Sequence, residues 1–197
     1  CAMLMLCAAA LVIATLRDAA ASPMLLFGLF ATRDDYNACG RATLTVALGD
    51  SVVDCGGAIT QVLSRPQLHA IEAPRFSLAT AGEHALYALA VVDLDAPSPD
   101  APTDREYRHW LLGNILGWEL KTGNITRMQE LSKWEPPRPP SGSGQQHRYV
   151  FLLFSEYGPA VNFDPVPAER KRWDAQKWAN SYGFGPPVAS TSFVVDG

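Results

Sequence analysis

The sequence predicts a mainly β protein of short strands and long connections, with one sustained helix near the C-terminus. Three observations carry this reading. Fifteen prolines and fifteen glycines among 197 residues interrupt the chain too often for a helical bundle. Short apolar or alternating runs bounded by turn residues recur: around Leu44, Val46 and Leu48, from Tyr87 through Val92, from Trp110 through Leu112, and from Tyr149 through Phe154. Helical spacing is sustained only over residues 168–182, where Ala168, Ala175, Trp178, Ala179 and Tyr182 share a stripe and Gly183 stands at the C-cap position.

In chain order, residues 1–21 read as a cleaved secretory signal. Residues 2–13 are apolar, and Ala19, Ala20 and Ala21 are the small residues a signal peptidase requires. Arg17 and Asp18 end the apolar run before it can span a bilayer, so the mature chain is expected outside the cell with no integral membrane span. Residues 22–41 form an N-terminal extension and residues 42–197 a single globular domain. Leu44, Val46 and Leu48 alternate with Thr43, Thr45 and Ala47. Gly49-Asp50 then turns the chain into Ser51-Val52-Val53, a hairpin whose glycine supplies the positive φ of a tight connection. Cys39 precedes the first of these strands and Cys55 ends the second. Once Cys1 and Cys7 leave with the signal, this even pair is either bridged at the strand ends or left as two buried thiols.

Residues 61–83, broken by Pro66 and Pro74, read as loops around one short strand, and His69 and His84 as histidines without a role. Asn124-Ile125-Thr126 is an acceptor for N-linked glycan in an exported chain, with Asn124 the attachment site. Residues 136–146 are rich in proline, then in glycine and serine. They read as a loop within the domain, because a strand pattern resumes at His147. Asp164-Pro165-Val166-Pro167 introduces the helix, and residues 191–195 make the last strand.

The functional reading centres on residues 89–115, where two apolar runs flank a polar, proline-broken segment. Residues two apart on an extended strand share a face, so Asp93 and Asp95 point the same way at a strand mouth. Pro97, Pro99 and Pro102 then prevent ladder pairing beyond them. By the same period His147, Tyr149 and Phe151 share a face, with Arg148 on the other. Pooled with Tyr107 and His109, these residues supply imidazoles and phenol hydroxyls, and Gly142-Ser143-Gly144 adds backbone N–H groups. That donor set suits a phosphate monoester. Asp93 and Asp95 are expected either to fix histidine tautomers by accepting a ring N–H or to meet an ammonium on the same ligand. The plainer alternative makes them turn aspartates bonded to backbone N–H groups. A net charge of -4 with scattered basic residues argues against nucleic acid as a partner. The chain holds no HExxH, paired CxxC, Gly-x-Ser-x-Gly or phosphate-loop pattern, and no cofactor is expected. A metal-dependent hydrolase remains as a third reading, through the two aspartates and two histidines.

Three blocks in order resemble the phosphatidylethanolamine-binding protein family, also called the Raf kinase inhibitor protein family. Asp93-Leu94-Asp95-Ala96-Pro97-Ser98 is similar to its Asp-Pro-Asp-Ala-Pro-Ser run. Glu106-Tyr107-Arg108-His109-Trp110 is similar to its Glu-Trp-His-His block, and Gly142-Ser143-Gly144 with His147-Arg148-Tyr149 to its Gly-x-Gly-x-His-Arg-Tyr block. The resemblance runs from about Leu44 to Pro187-Val188-Ala189-Ser190-Thr191. It implies two antiparallel sheets, the larger central, with peripheral helices and a small pocket for phosphate-containing head groups. The ligand-binding positions it implies are Asp93, Asp95, Pro97, Tyr107, His109, His147 and Tyr149, and it makes Ala96–Pro97 a candidate cis bond. This chain departs from the pattern at Leu94, at Arg108 in place of one of two adjacent histidines, and at the extra residue of Gln145-Gln146. Lys177 stands where mammalian members place a phosphorylatable serine. The expectation is a secreted binding protein, not an enzyme, for a phospholipid head group or small phosphorylated ligand. The first alternative is an interaction protein that inhibits a protease or kinase.

Overall fold

The computed structural model describes Tyr36, Cys39 and residues 42–59, 63–141 and 145–197. The expected signal, almost all of the N-terminal extension and the Gly142-Ser143-Gly144 loop lie outside the described residues. In order, the elements are β1 (Ala42–Thr43), β2 (Thr45–Leu48), β3 (Ser51–Val52), β4 (Gly57–Ala58), α1 (Arg65–His69), β5 (Arg75–Ser77), β6 (Leu86–Asp93), β7 (Tyr107–Leu116), α2 (Gly117–Thr122), β8 (Gln129–Ser132), β9 (Gln146–Glu156), α3 (Ala175–Ser181) and β10 (Ala189–Asp196). The large sheet runs β1-β10-β9-β6-β7-β8, with β4 also on β10, and the small sheet runs β3-β2-β5. Both sheets are antiparallel apart from β1 and β4, two-residue strands that join β10 in parallel.

The central strands read as continuous apolar runs because both of their faces are covered. On one face Leu89, Val91, Trp110, Leu112, Phe151, Leu153 and Phe193 share a core with Leu44, between β1 and β2, and with Val46, Leu48 and Phe76 of the small sheet. Each such side chain, fully buried, stabilises by about 1.5–3 kcal/mol. On the other face Phe154 lies against Trp178 of α3, which stacks on Phe163 at 5.7 Å between ring centroids. Gly113 permits that packing: a Cβ there would collide with the Phe163 ring.

Several local expectations change. The helix begins at Ala175, because residues 104–108 draw the preceding segment into a strand-like pairing. Glu106 and Trp173 exchange backbone bonds, Arg108 N–H donates to the Arg170 carbonyl, and Arg172 N–H donates to the Asp104 carbonyl. Asp174 then caps the helix by accepting the Lys177 N–H at 2.8 Å. The stretch read as loops around one strand holds α1 as well as β5, with Pro66 in the first turn of α1. Helix α2 ends at Gly123, whose φ is 74°. Cys39 and Cys55 are bonded, with Cα atoms 5.7 Å apart. No helix among the described residues is long and apolar enough to cross a membrane.

Candidate functional site

The site forms where β6, β7 and β9 end together, and an irregularity in β7 shapes it. Val91 pairs with Trp110 but Val92 pairs with Arg108, which leaves His109 as an extra residue. Such a bulge re-aims side chains. His109 and Trp110 both lie against Trp134, at 6.4 and 5.8 Å between ring centroids, while Arg108 turns to the opposite face over the Trp173 ring. Strict alternation could not have anticipated two consecutive residues on one side.

Asp93 ends β6 opposite Tyr149 and Tyr107. It is 3% exposed. Its Oδ2 accepts from His147 Nδ1 at 2.8 Å and its Oδ1 accepts the Asp95 N–H at 2.7 Å. This aspartate therefore does both things expected of the pair: it orients a histidine and satisfies a turn N–H. Asp95 does neither for a histidine. Its carboxylate takes a bidentate bond from Arg148, Nε at 2.8 Å and Nη2 at 2.7 Å, and also accepts the Arg148 N–H at 2.8 Å. Burial would raise the Asp95 pKa, but these Arg148 bonds and charge hold it below the usual carboxylate range. The reading of both aspartates as histidine orienters is corrected accordingly, because Arg148 on the other face of β9 captures Asp95.

His109 is buried, with its Nδ1 2.6 Å from the Glu135 carbonyl. A carbonyl only accepts, so Nδ1 carries the hydrogen. Burial lowers the His109 pKa, against the smaller raising effects of the Glu135 carbonyl and the Asp93 charge, and the ring is neutral at pH 7. Tyr149 lies edge-on to it at 5.0 Å and stacks on Phe193 at 5.3 Å. Burial, followed by the charge and hydrogen bonding of Asp93, pushes the Tyr149 phenol well up, so it stays a donor. Tyr107, half-buried, stands 5.0 Å from His109 and donates to Glu135 at 3.2 Å. Burial and that carboxylate raise its pKa too. Pro97 lies exposed at the rim, where the Ala96–Pro97 bond is cis, as is Arg105–Glu106.

The proline-rich loop and the two residues just before it, Trp134 and Glu135, supply a wall of the site. Trp134 Nε1 donates to the Ile71 carbonyl at 3.0 Å, and Arg65 Nη2 donates to the Pro139 carbonyl at 3.2 Å. Glu135 holds His109 through its carbonyl and Tyr107 through its carboxylate, which also pairs with Arg170 at 3.1 Å. Glu135, Trp134 and Arg148 were not foreseen as site residues. For Trp134 and Glu135 the sequence signal was the adjoining Pro136 and Pro137, which keep the chain extended there. Asn124 lies apart from the site, exposed after α2. Among the described residues no group of three or more His, Cys, Asp or Glu side chains is gathered as for a metal ion.

A buried carboxylate with imidazole and phenol groups around it, at the shared end of β6, β7 and β9, makes a candidate small-ligand site of mixed polarity. The family profile described as phosphatidylethanolamine-binding protein matches residues 45–193, and the chain belongs to that family. It is 39% identical over 107 residues to Protein TWIN SISTER of FT of Arabidopsis thaliana, a match that takes in 54% of this chain and 56% of that protein. The chain thus spans a little over half the length of that curated relative. Among solved structures it resembles the carboxypeptidase Y inhibitor complexed with its cognate proteinase, with a TM-score of 0.60, 21% identity and coverage of 78% of this chain and 82% of that one. It also resembles the phosphatidylethanolamine-binding protein from Plasmodium vivax, with a TM-score of 0.60, 19% identity and coverage of 77% and 83%. At those identities the likeness concerns the fold.

Proposed function

We propose that this chain is an exported, non-enzymatic binding protein whose pocket takes the phosphorylated head group of a lipid or a small phosphate monoester. The observation that carries the reading is the convergence of His109, His147, Tyr149 and Tyr107 around Asp93, each ring held by a protein bond or ring contact. Binding sites of this kind combine apolar walls with a few oriented polar groups. Export, with residues 1–21 as its signal and a glycan on Asn124, completes the proposal. Exposure of Asn124 and the bonded Cys39–Cys55 pair support it.

Calorimetric titration of the secreted protein with phosphorylethanolamine, alongside His109→Ala, tests the pocket. Saturable heat that weakens with salt and vanishes in the variant is expected. Flat heats in both proteins, also with a long-chain phospholipid, would end the reading. A glycosidase should increase the gel mobility of the same preparation, and unchanged mobility would remove the glycan. The second reading is an interaction protein acting on a protease or kinase, favoured by the similarity to an inhibitor solved with its proteinase. In that case His109→Ala leaves inhibition intact.

A further inference from the structure

We infer that the pocket selects oxyanions that still carry a proton, and that His109 is the residue that reads it. The inference rests on the phosphate-binding reading above and narrows it. Nδ1 of His109 is committed as a donor to the Glu135 carbonyl at 2.6 Å. In a neutral ring this leaves Nε2 as an acceptor only. Nε2 has no hydrogen-bond partner among the described residues. The ring is 5% exposed and stands beside half-buried Tyr107 and beside Tyr149. The ring is held neutral by burial among aromatic neighbours, with a carbonyl and not a carboxylate as its direct partner.

A fully deprotonated oxyanion brings only lone pairs to this atom, and two acceptors facing each other in a desolvated pocket repel. A phosphate monoester monoanion brings a P–O–H that donates to Nε2, while its other oxygens accept from the donors around it. Asp93 adds to the discrimination, because its carboxylate near the site opposes a second negative charge on the ligand.

The charged and titratable groups around His109 are Tyr107 on its own strand, Asp93 on β6, and His147 and Tyr149 on β9. Glu135 lies just before the proline-rich segment, and Arg170 donates to the His109 carbonyl at 3.2 Å. Protonation of any of these acts on every monoanion alike. The test must therefore compare two ligands of one shape and one charge that differ only in the proton. Methyl phosphate at pH 5 and methyl sulfate are such a pair.

Titration of the full chain with each at pH 5 should show methyl phosphate binding about ten- to a hundredfold more tightly, the worth of one made against one unmade buried hydrogen bond. That preference should decline from pH 5 to pH 8, as the ester loses its proton with a pKa of about 6. His109→Gln, whose amide can turn an N–H towards the ligand, should bind both esters with a preference reduced to less than about threefold. Equal affinities in the parent at pH 5, methyl phosphate tightening as pH rises, or an undiminished preference in His109→Gln would each overturn the inference while leaving the phosphate-binding reading in place. Absence of heat from both esters and from phosphorylethanolamine would overturn that reading, and the inference with it.

Discussion

Asp93 and Glu156 are both 3% exposed and lie at opposite ends of the paired central strands β6 and β9. Their surroundings differ in one respect, the supply of donors. Asp93 collects the Asp95 N–H and the His147 ring nitrogen, with the Tyr149 phenol close by. Among the described residues Glu156 accepts a single bond, from the Asn114 N–H at 2.7 Å, and its Oε2 is sealed without a partner. Burial accordingly pushes the Glu156 pKa up to about 7, against the smaller lowering by the Asn114 bond. A buried carboxylate is a site component when the fold surrounds it with donors, and a pH-dependent weakness when it does not.

The largest effect on this contrast is expected from Asp93→Ala. It leaves a ring N–H and a backbone N–H buried without their acceptor, and should cost about 3–5 kcal/mol in urea unfolding, in the range seen when one partner of a buried pair is removed. A cost below about 1 kcal/mol would mean that the donors around Asp93 find water or other acceptors, and that the site is less sealed than its geometry implies.

Next in size is the pH response of the opposite end. The Glu156 pKa is raised in the folded chain from 4.5 to about 7, so the folded state binds the proton more tightly than the unfolded state. The resulting stabilisation is complete below about pH 4.5 and is lost as pH rises through 7, a change of up to about 3 kcal/mol. Glu156→Gln carries a permanent neutral group there and should lack this slope. The difference between parent and variant, measured by urea unfolding at pH 5 and pH 8, isolates it from Asp95. The lowered Asp95 pKa acts with the opposite sign: its stabilisation is lost only as pH falls below the ordinary carboxylate range. The structural consequence falls on residues 157–163, because Asn114 also bonds Val161 in both directions, at 2.9 and 2.8 Å. Faster hydrogen exchange of Val161 at pH 8 than expected from base catalysis alone should disappear in the variant. A parent and variant with parallel pH profiles would place the Glu156 pKa in the ordinary range.

The two ends also differ in how far they were readable beforehand. Asp93, His147 and Tyr149 were legible because alternation along β6 and β9 needs no knowledge of neighbours, and the strand-ending prolines marked the rim. The β7 bulge was not legible, since an extra residue is defined only against a partner strand. For the same reason Glu135 escaped notice: its role is set by where its carbonyl lands, and any residue in that extended segment offers a carbonyl. Helix α3 was overextended because residues 168–174 carry a helical stripe whose backbone is captured by residues 104–108, a contact more than sixty positions away. Glu156 drew no attention, since a glutamate at the end of an apolar run ordinarily marks emergence into solvent.

The smallest expected effect is that of removing the charge from one of the two arginines that flank the site. Arg148 is half-exposed and forms a bidentate pair with Asp95. Arg108 is 1% exposed; among the described residues its side chain has the Pro167 carbonyl at 2.6 Å and the face of Trp173, with Nε and Nη1 unpartnered. Its desolvation is thus offset by one hydrogen bond and one cation–π contact, whereas an apolar chain of similar length would bury its atoms at no such cost. Arg108→Met should therefore change stability by less than about 1 kcal/mol, in either direction. Truncation to alanine should cost about 2–4 kcal/mol, because the long stem fills space between β7 and Trp173. Measured together, the pair separates the packing contribution of the side chain from that of its charge. A loss well above 1 kcal/mol in the methionine variant would show that the unpartnered nitrogens are satisfied in solution, by water or an anion, and that this face of β7 is as polar as the face carrying His109.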